Sequence, residues 1–352
     1  MLRSLTLKNF RCFEDFTIEP LERVNLIGGK NNVGKTSLLE AILIFQHPGN
    51  ASMLTQTGRL RYSMGDLEVI QGFFFDQDIN NKIQIQGIGR DDLEEILNIS
   101  CEYEYEIVPL EENKNAEQYI SLTTEQKYNS LLFEYISSRG RKNIAKLLFA
   151  SDSSILKATG WVTRKLKVAN TNFISTNKIS SQENAEYYSN LERIGKQEEV
   201  LETIRLLEPH LKRLSLIVVK GEPIICGDIG MSELVPLALM GEGMGRLFSI
   251  VLAIANVKGG TVLIDEIENG LHYSVLVDVW KAIADAARRH DVQIFATTHS
   301  RECILAAHEA FKNSDIYDFR YHRLDRVKDK IQAFTYDQEA LETSDEFNWE
   351  MR

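Results

Sequence analysis

Residues 25–36 of the chain read N-L-I-G-G-K-N-N-V-G-K-T, which contains the spacing G-x-x-x-x-G-K-[ST]. That spacing describes a phosphate cradle. Gly29 and Gly34 let the backbone curl so that the N–H groups of the loop (Lys30, Asn31, Asn32, Val33) point inward, and Lys35, Thr36 and Ser37 open a helix whose positive end faces the anion. Lys35 is the residue to neutralise the β and γ phosphates of a nucleotide, and Thr36 is a hydroxyl ligand for Mg²⁺.

A phosphate loop alone only holds. Hydrolysis needs a second set of residues, and residues 261–266, T-V-L-I-D-E, offer one: an apolar strand ending in two acids. Asp265 then sits beside the Mg²⁺ shell, and Glu266 points toward the γ-phosphate, where it can polarise an attacking water. A third apolar strand, residues 292–298, ends at His299. In a parallel sheet all three strand ends share one edge, which brings His299 to the phosphates. Residues 240–246, M-G-E-G-M-G-R, precede an apolar run at 247–255, and glycines opening a helix make a further anion site. Because Lys35 and its loop hold the phosphates in cis, the economical role for Gly241, Glu242 and Gly243 is to touch a nucleotide held by another subunit.

These groups need a scaffold. Residues 2–8, 16–18 and 24–27 read as strands, the last feeding the loop, and the helix after the loop ends near His47 and Pro48. Residues 82–86 and 98–107 alternate apolar and polar like half-exposed antiparallel strands. From 110 to 167 polar stretches carry Leu131, Leu132, Tyr135, Ile136, Ile144, Leu147 and Leu148, which read as helical spacing. Helices are expected near 182–194 and 197–207 and a hairpin over 214–226. The expected organisation is an N-terminal part of the domain (1–109), an inserted, mainly helical lobe (110–200) and a C-terminal part (201–352). The fold class is α/β: a P-loop NTPase with a mixed central sheet, an antiparallel β subdomain and that helical lobe.

With 352 residues, 40 basic against 51 acidic side chains and a net charge of −11, the whole chain is no general binder of nucleic acid. The lobe nevertheless concentrates Arg139, Arg141, Lys142 and Lys146, then Arg164, Lys165 and Lys167. That run is either a solvated face or a contact for nucleic acid or a partner. The four cysteines lack metal or redox spacing and read as reduced thiols. No signal peptide and no run of about eighteen apolar residues is found, so a cytoplasmic protein with no membrane span is expected.

Taken in order, Asn9-Phe10-Arg11, GKNNVGKT, the Gly-rich helix start, LIDEIENGLH and TTHS resemble the ABC-type ATPase heads of the RecF, SMC and OLD-like group. The likeness covers roughly residues 1–100 and 200–305 and is nearest to stand-alone OLD-like AAA-family ATPases. It implies the ABC-ATPase-head architecture and two heads closing face to face on two ATP molecules with Mg²⁺. It also implies Glu266 as catalytic base, His299 as switch histidine, residues 268–272 as the loop joining the two sites, and Gly241, Glu242 and Gly243 acting in trans. By the same likeness Arg11 reaches the nucleotide, against the plain reading of a surface arginine on a hairpin, and Gln71 is the glutamine linking the nucleotide and its metal to the lobe. The sequence departs from the pattern where Met240 and Gly241 stand at the usual signature serine. About fifty residues follow His299, too few for the Toprim nuclease of OLD proteins.

Three functions compete on these residues. One is an ATP-hydrolysing switch that dimerises on ATP and controls a partner effector, a nuclease or toxin, in an anti-phage or toxin system. The others are a RecF-like DNA-repair ATPase using the basic lobe, and a scaffold that binds ATP with little turnover.

Overall fold

The computed structural model describes residues 1–48, 50, 70–109, 123–149, 155–161, 170–176 and 181–346. In chain order, β1 (Leu2–Phe10), β2 (Phe13–Ile18) and β3 (Val24–Gly28) lead into helix α1 (Lys35–Gln46). Strands β4 (Ile83–Gly89), β5 (Glu94–Pro109), β6 (Thr123–Ile136), β7 (Lys142–Phe149), β8 (Ile155–Trp161) and β9 (Thr171–Ile174) follow. Helices α2 (Ser181–Arg193) and α3 (Gln197–Ile204) precede a small sheet of β10 (Arg213–Val219), β11 (Glu222–Asp228) and β12 (Val235–Pro236). The rest alternates: α4 (Glu242–Asn256), β13 (Thr261–Ile264), α5 (Leu276–His290), β14 (Gln293–Thr297), α6 (Arg301–Lys312), then β15 (Phe319–Val327), β16 (Lys330–Tyr336) and α7 (Gln338–Glu346).

The central sheet has the order β16-β15-β3-β14-β13-β9, parallel from β15 to β9 with β16 antiparallel at the edge. Its inner strands β3, β14 and β13 are buried throughout because both faces are covered. The period of two sorts them: Val262, Ile264, Ile294, Ala296 and Leu26 face one core, packed with α4, α5 and α6. Leu263, Phe295 and Ile27 face the other, where α1 lies between this sheet and β1, β2, β4 and β5. With both sides covered, α1 buries every residue from Ser37 to Phe45. In register, Ile27 pairs with Thr297 and Ile264 with Ala296, so three strands end level at one edge.

The expected helical lobe is corrected. Residues 94–109, 123–136, 142–149 and 155–161 are strands that continue the antiparallel sheet in the order β2-β1-β4-β5-β6-β7-β8. The boundary drawn at 109/110 therefore cuts through a ladder that runs from Ile96↔Ile136 to Pro109↔Thr123. The strands carry apolar residues on both faces, so their alternation is hidden: Leu131, Phe133 and Leu147 are buried, whereas Ile144 is 46% exposed. Helix α2, also assigned to the lobe, and α3, which crosses the boundary expected at 200, pack Tyr188, Leu191, Val200 and Ile204 into the core beneath α4. Helix α4 itself starts at Glu242, five residues before its apolar run.

Of the four basic residues singled out over 139–146, two are engaged: Lys142 pairs with Glu134, and Lys146 Nζ lies 3.0 Å from Glu102 Oε2. Arg139 and Arg141 are exposed at the β6–β7 turn. Arg164, Lys165 and Lys167 lie outside the described residues. Among the described residues, no helix is long and apolar enough to cross a membrane.

Candidate nucleotide site

The loop between β3 and α1 closes over a cleft of about 940 Å³ at the level edge of the central sheet. Its glycines are sterically required. Gly29 has φ +132°, and a Cβ there would fall 2.3 Å from the Leu324 carbonyl oxygen; Gly34 has φ +91°, and its Cβ would fall 2.5 Å from Cys12 Sγ. Val33 is buried and roots the loop in the apolar core, leaving Asn31, Asn32, Gly34, Lys35, Thr36 and Ser37 to line the cleft.

Lys35 is folded back on its own loop. Its Nζ donates to the Gly29 carbonyl at 2.6 Å and the Lys30 carbonyl at 2.8 Å, and lies 3.3 Å from His299 Nδ1. Burial lowers its pKa to about 8, against the opposing pull of Asp265, Glu266 and Glu268.

The two acids after β13 point into the same cleft. Asp265 accepts from Thr36 Oγ1 at 3.2 Å and from the buried Thr297 Oγ1 at 2.7 Å. Thr297 Oγ1 in turn accepts from the Glu266 N–H at 2.8 Å, so one hydroxyl at the end of β14 fixes both acids. Glu266 adopts φ +49°, the left-handed region that is costly for a residue with a Cβ. Its carboxylate is held from two sides: Asn269 Nδ2 donates to Oε2 at 2.7 Å, and His299 Nε2 lies 3.3 Å from Oε1. His299 thus stands between Lys35 and Glu266. Its own backbone N–H donates to Glu268 at 2.7 Å, and Ser300 caps α6 by accepting from the Cys303 N–H, which fixes where the strand ends.

A hydroxyl and a carboxylate oxygen 3.2 Å apart at the mouth of a phosphate loop are hard donors of the kind Mg²⁺ takes when substrate phosphates and water complete its shell. The residues fit that ion.

Arg11 lines the cleft too. It is no free surface residue: its Nε lies 2.7 Å from Glu40, a carboxylate of α1 with no exposure, and its guanidinium stacks over Phe73 at 5.0 Å. Gln71 does not line the cleft. Asp76 and Gln77 do, both at positive φ, five and six residues further on. Composition and spacing give no way to choose between the two glutamines; the backbone turn after three phenylalanines decides which one faces the loop.

The Gly-rich helix start lies elsewhere. Gly241 and Gly245 line a second cavity, of about 370 Å³, together with Arg246 and Asn269. Gly241, at φ +123°, is followed by Glu242 as the first residue of α4.

The family model described as "AAA domain, putative AbiEii toxin, Type IV TA system" matches residues 24–304, from the strand before the loop to the helix after His299. The chain belongs to this family. Among curated relatives of this AAA-family chain, an ATP/GTP phosphatase of Helicobacter pylori is 24% identical over 345 residues, 90% of each chain. The DNA replication and repair protein RecF of Pseudoalteromonas translucida is 54% identical over 46 residues, 13% of each. An SMC head, solved bound to the C-terminal winged-helix domain of ScpA, shares the fold with a TM-score of 0.51 at 13% identity, covering 97% of this chain and 99% of that one. The protein is an AAA-family ATPase with the fold of the SMC heads.

Proposed function

We propose that the chain is an ATP-driven switch whose heads close face to face on two ATP molecules and so control a separate effector protein. Glu266 is the base that polarises water, Lys35 neutralises the β and γ phosphates, and Thr36 and Asp265 hold Mg²⁺, which when bound supplies charge stabilisation to the transferring phosphoryl group. His299, between Lys35 and Glu266, senses whether the γ-phosphate is present. Arg11 reaches the nucleotide from the hairpin, and Gln77 replaces Gln71 as the glutamine facing it.

One observation carries the reading: the second anion-binding helix start does not belong to its own cleft. Gly241 and Gly245 line a different cavity from Lys35 and Glu266, so a single chain offers half of a closed site. The family description, which names a toxin and a type IV toxin–antitoxin system, supports a setting in toxin systems. The ion pairs of Lys142 and Lys146 weigh against the basic sheet as a DNA-binding face.

The test is oligomeric state. Glu266→Gln protein in ATP and Mg²⁺ should elute from size exclusion with a light-scattering mass twice that of the nucleotide-free protein. A monomer mass at saturating ATP overturns the dimer reading.

A further inference from the structure

The glycine-rich helix α4 and the catalytic acid sit on different walls, yet they are tied together within one subunit. The tie is Arg246. Its Nη1 donates to the Ser175 carbonyl at 2.9 Å, and its Nη2 donates to the carbonyls of Asp265 at 2.7 Å and Glu266 at 3.2 Å. One guanidinium therefore holds the ends of β9 and β13, at the peptide where Glu266 turns into its left-handed conformation. Burial disfavours the charge, lowering its pKa against the attraction of Asp265, Glu268 and Glu266, so the arginine is kept in a place where its cation is not at ease.

A second contact ties the same helix to the same loop. A Cβ on Gly243 would stand 2.9 Å from the Gly270 carbonyl oxygen and 3.1 Å from Leu271 Cδ2, so the first turn of α4 presses on the segment that carries Asn269. Asn269 is the residue that grips the Glu266 carboxylate. Backbone and carboxylate of Glu266 are both held by parts that α4 touches.

We propose that Arg246 is a positioning residue, which sets Glu266 from the glycine-rich helix so that a contact made on that helix by a second copy of the chain is passed to the catalytic acid of the first. The proposal rests on the reading of Glu266 as the base. Arg246 does not itself line the nucleotide cleft and touches its lining only through the main-chain carbonyls of Asp265 and Glu266, so its removal leaves ATP binding in place and reduces turnover.

The test compares wild type, Glu266→Gln, Arg246→Lys and Arg246→Ala in steady-state phosphate release and in binding of a fluorescent ATP analogue. A catalytic group displaced by about 1 Å loses about a hundred-fold in rate. Arg246→Lys keeps the stem and one cation but not the fork across three carbonyls. It is expected to bind nucleotide within about two-fold of wild type while kcat falls ten-fold or more, the range set by that displacement. In Arg246→Ala, guanidinium chloride at non-denaturing concentration should restore part of kcat, whereas sodium chloride should not, and Glu266→Gln should not respond to either. Arg246→Lys turnover within two-fold of wild type, or nucleotide binding lost in step with turnover, overturns the proposal; so does a folded Arg246→Ala protein that guanidinium leaves unmoved. Should Arg246→Ala fail to fold, the Arg246→Lys result decides. If Glu266→Gln turns over like wild type, the base assignment fails instead, and the two failures are told apart.

Discussion

The lowered pKa of Lys35 makes ATP binding a proton-uptake reaction. In the free protein the ammonium is buried against two loop carbonyls and titrates at about 8; a bound polyphosphate places negative charge beside it and keeps it protonated well above that. With a free-state pKa of about 8, the charged fraction is about 0.9 at pH 7 and about 0.1 at pH 9, so the dissociation constant should rise about ten-fold across that interval. ATP adds nothing to the slope, because phosphate second ionisation lies near pH ~6. The assay is calorimetric titration with ATP in EDTA, which removes metal from the equilibrium, in two buffers of different ionisation enthalpy. At pH 8 binding should take up about half a proton. Lys35→Arg is the control, since a guanidinium stays charged throughout and should flatten the profile whatever its absolute affinity. Stability moves the other way. A lysine whose folded pKa lies below its ordinary 10.5 makes the nucleotide-free protein more stable as pH climbs from about 8 toward 10.5, because the unfolded chain holds the proton that the fold has released. A dissociation constant constant within two-fold from pH 7 to 9, or the same slope in Lys35→Arg, refutes the reasoning.

Two further substitutions probe the frame around the site. Thr297→Val keeps the shape of a fully buried side chain but deprives the Glu266 N–H of its acceptor and Asp265 of a donor; unfolding by denaturant should show a loss of about 1–3 kcal/mol, and an unchanged midpoint counts against the shared-hydroxyl account. Gly34→Ala places a Cβ 2.5 Å from Cys12 Sγ at φ +91°, so ATP binding should be lost and stability should fall by more than about 1 kcal/mol; retention of both would mean that the loop does not hold this conformation.

The phosphate loop, the strand into Asp265-Glu266 and the strand into His299 were legible because each is a local pattern: glycines at fixed spacing, or an apolar run with a polar stop. The parallel sheet then does the rest, since ends level in register bring residues 35, 265 and 299 together. The long strands from 94 to 161 were not legible, because Leu131 and Leu132 sit on opposite faces of a strand and still look like one face of a helix. Nor was Gln77, whose approach to the cleft depends on two successive left-handed residues, or Arg246, whose partners are main-chain carbonyls that no side-chain pattern reports. Glu40, in the middle of an apolar helix, signals a buried partner, yet only the fold identifies it as Arg11.

The central claim is that Glu266 does the chemistry in the cleft that Lys35 and Thr36 define. It is tested most directly by single-turnover phosphate release from radiolabelled ATP by wild type and Glu266→Gln at saturating protein. General-base catalysis contributes about 10²–10⁴-fold, so the glutamine variant should bind ATP as well as wild type and release phosphate at least about a hundred times more slowly. Equal rates in the two proteins would contradict the account.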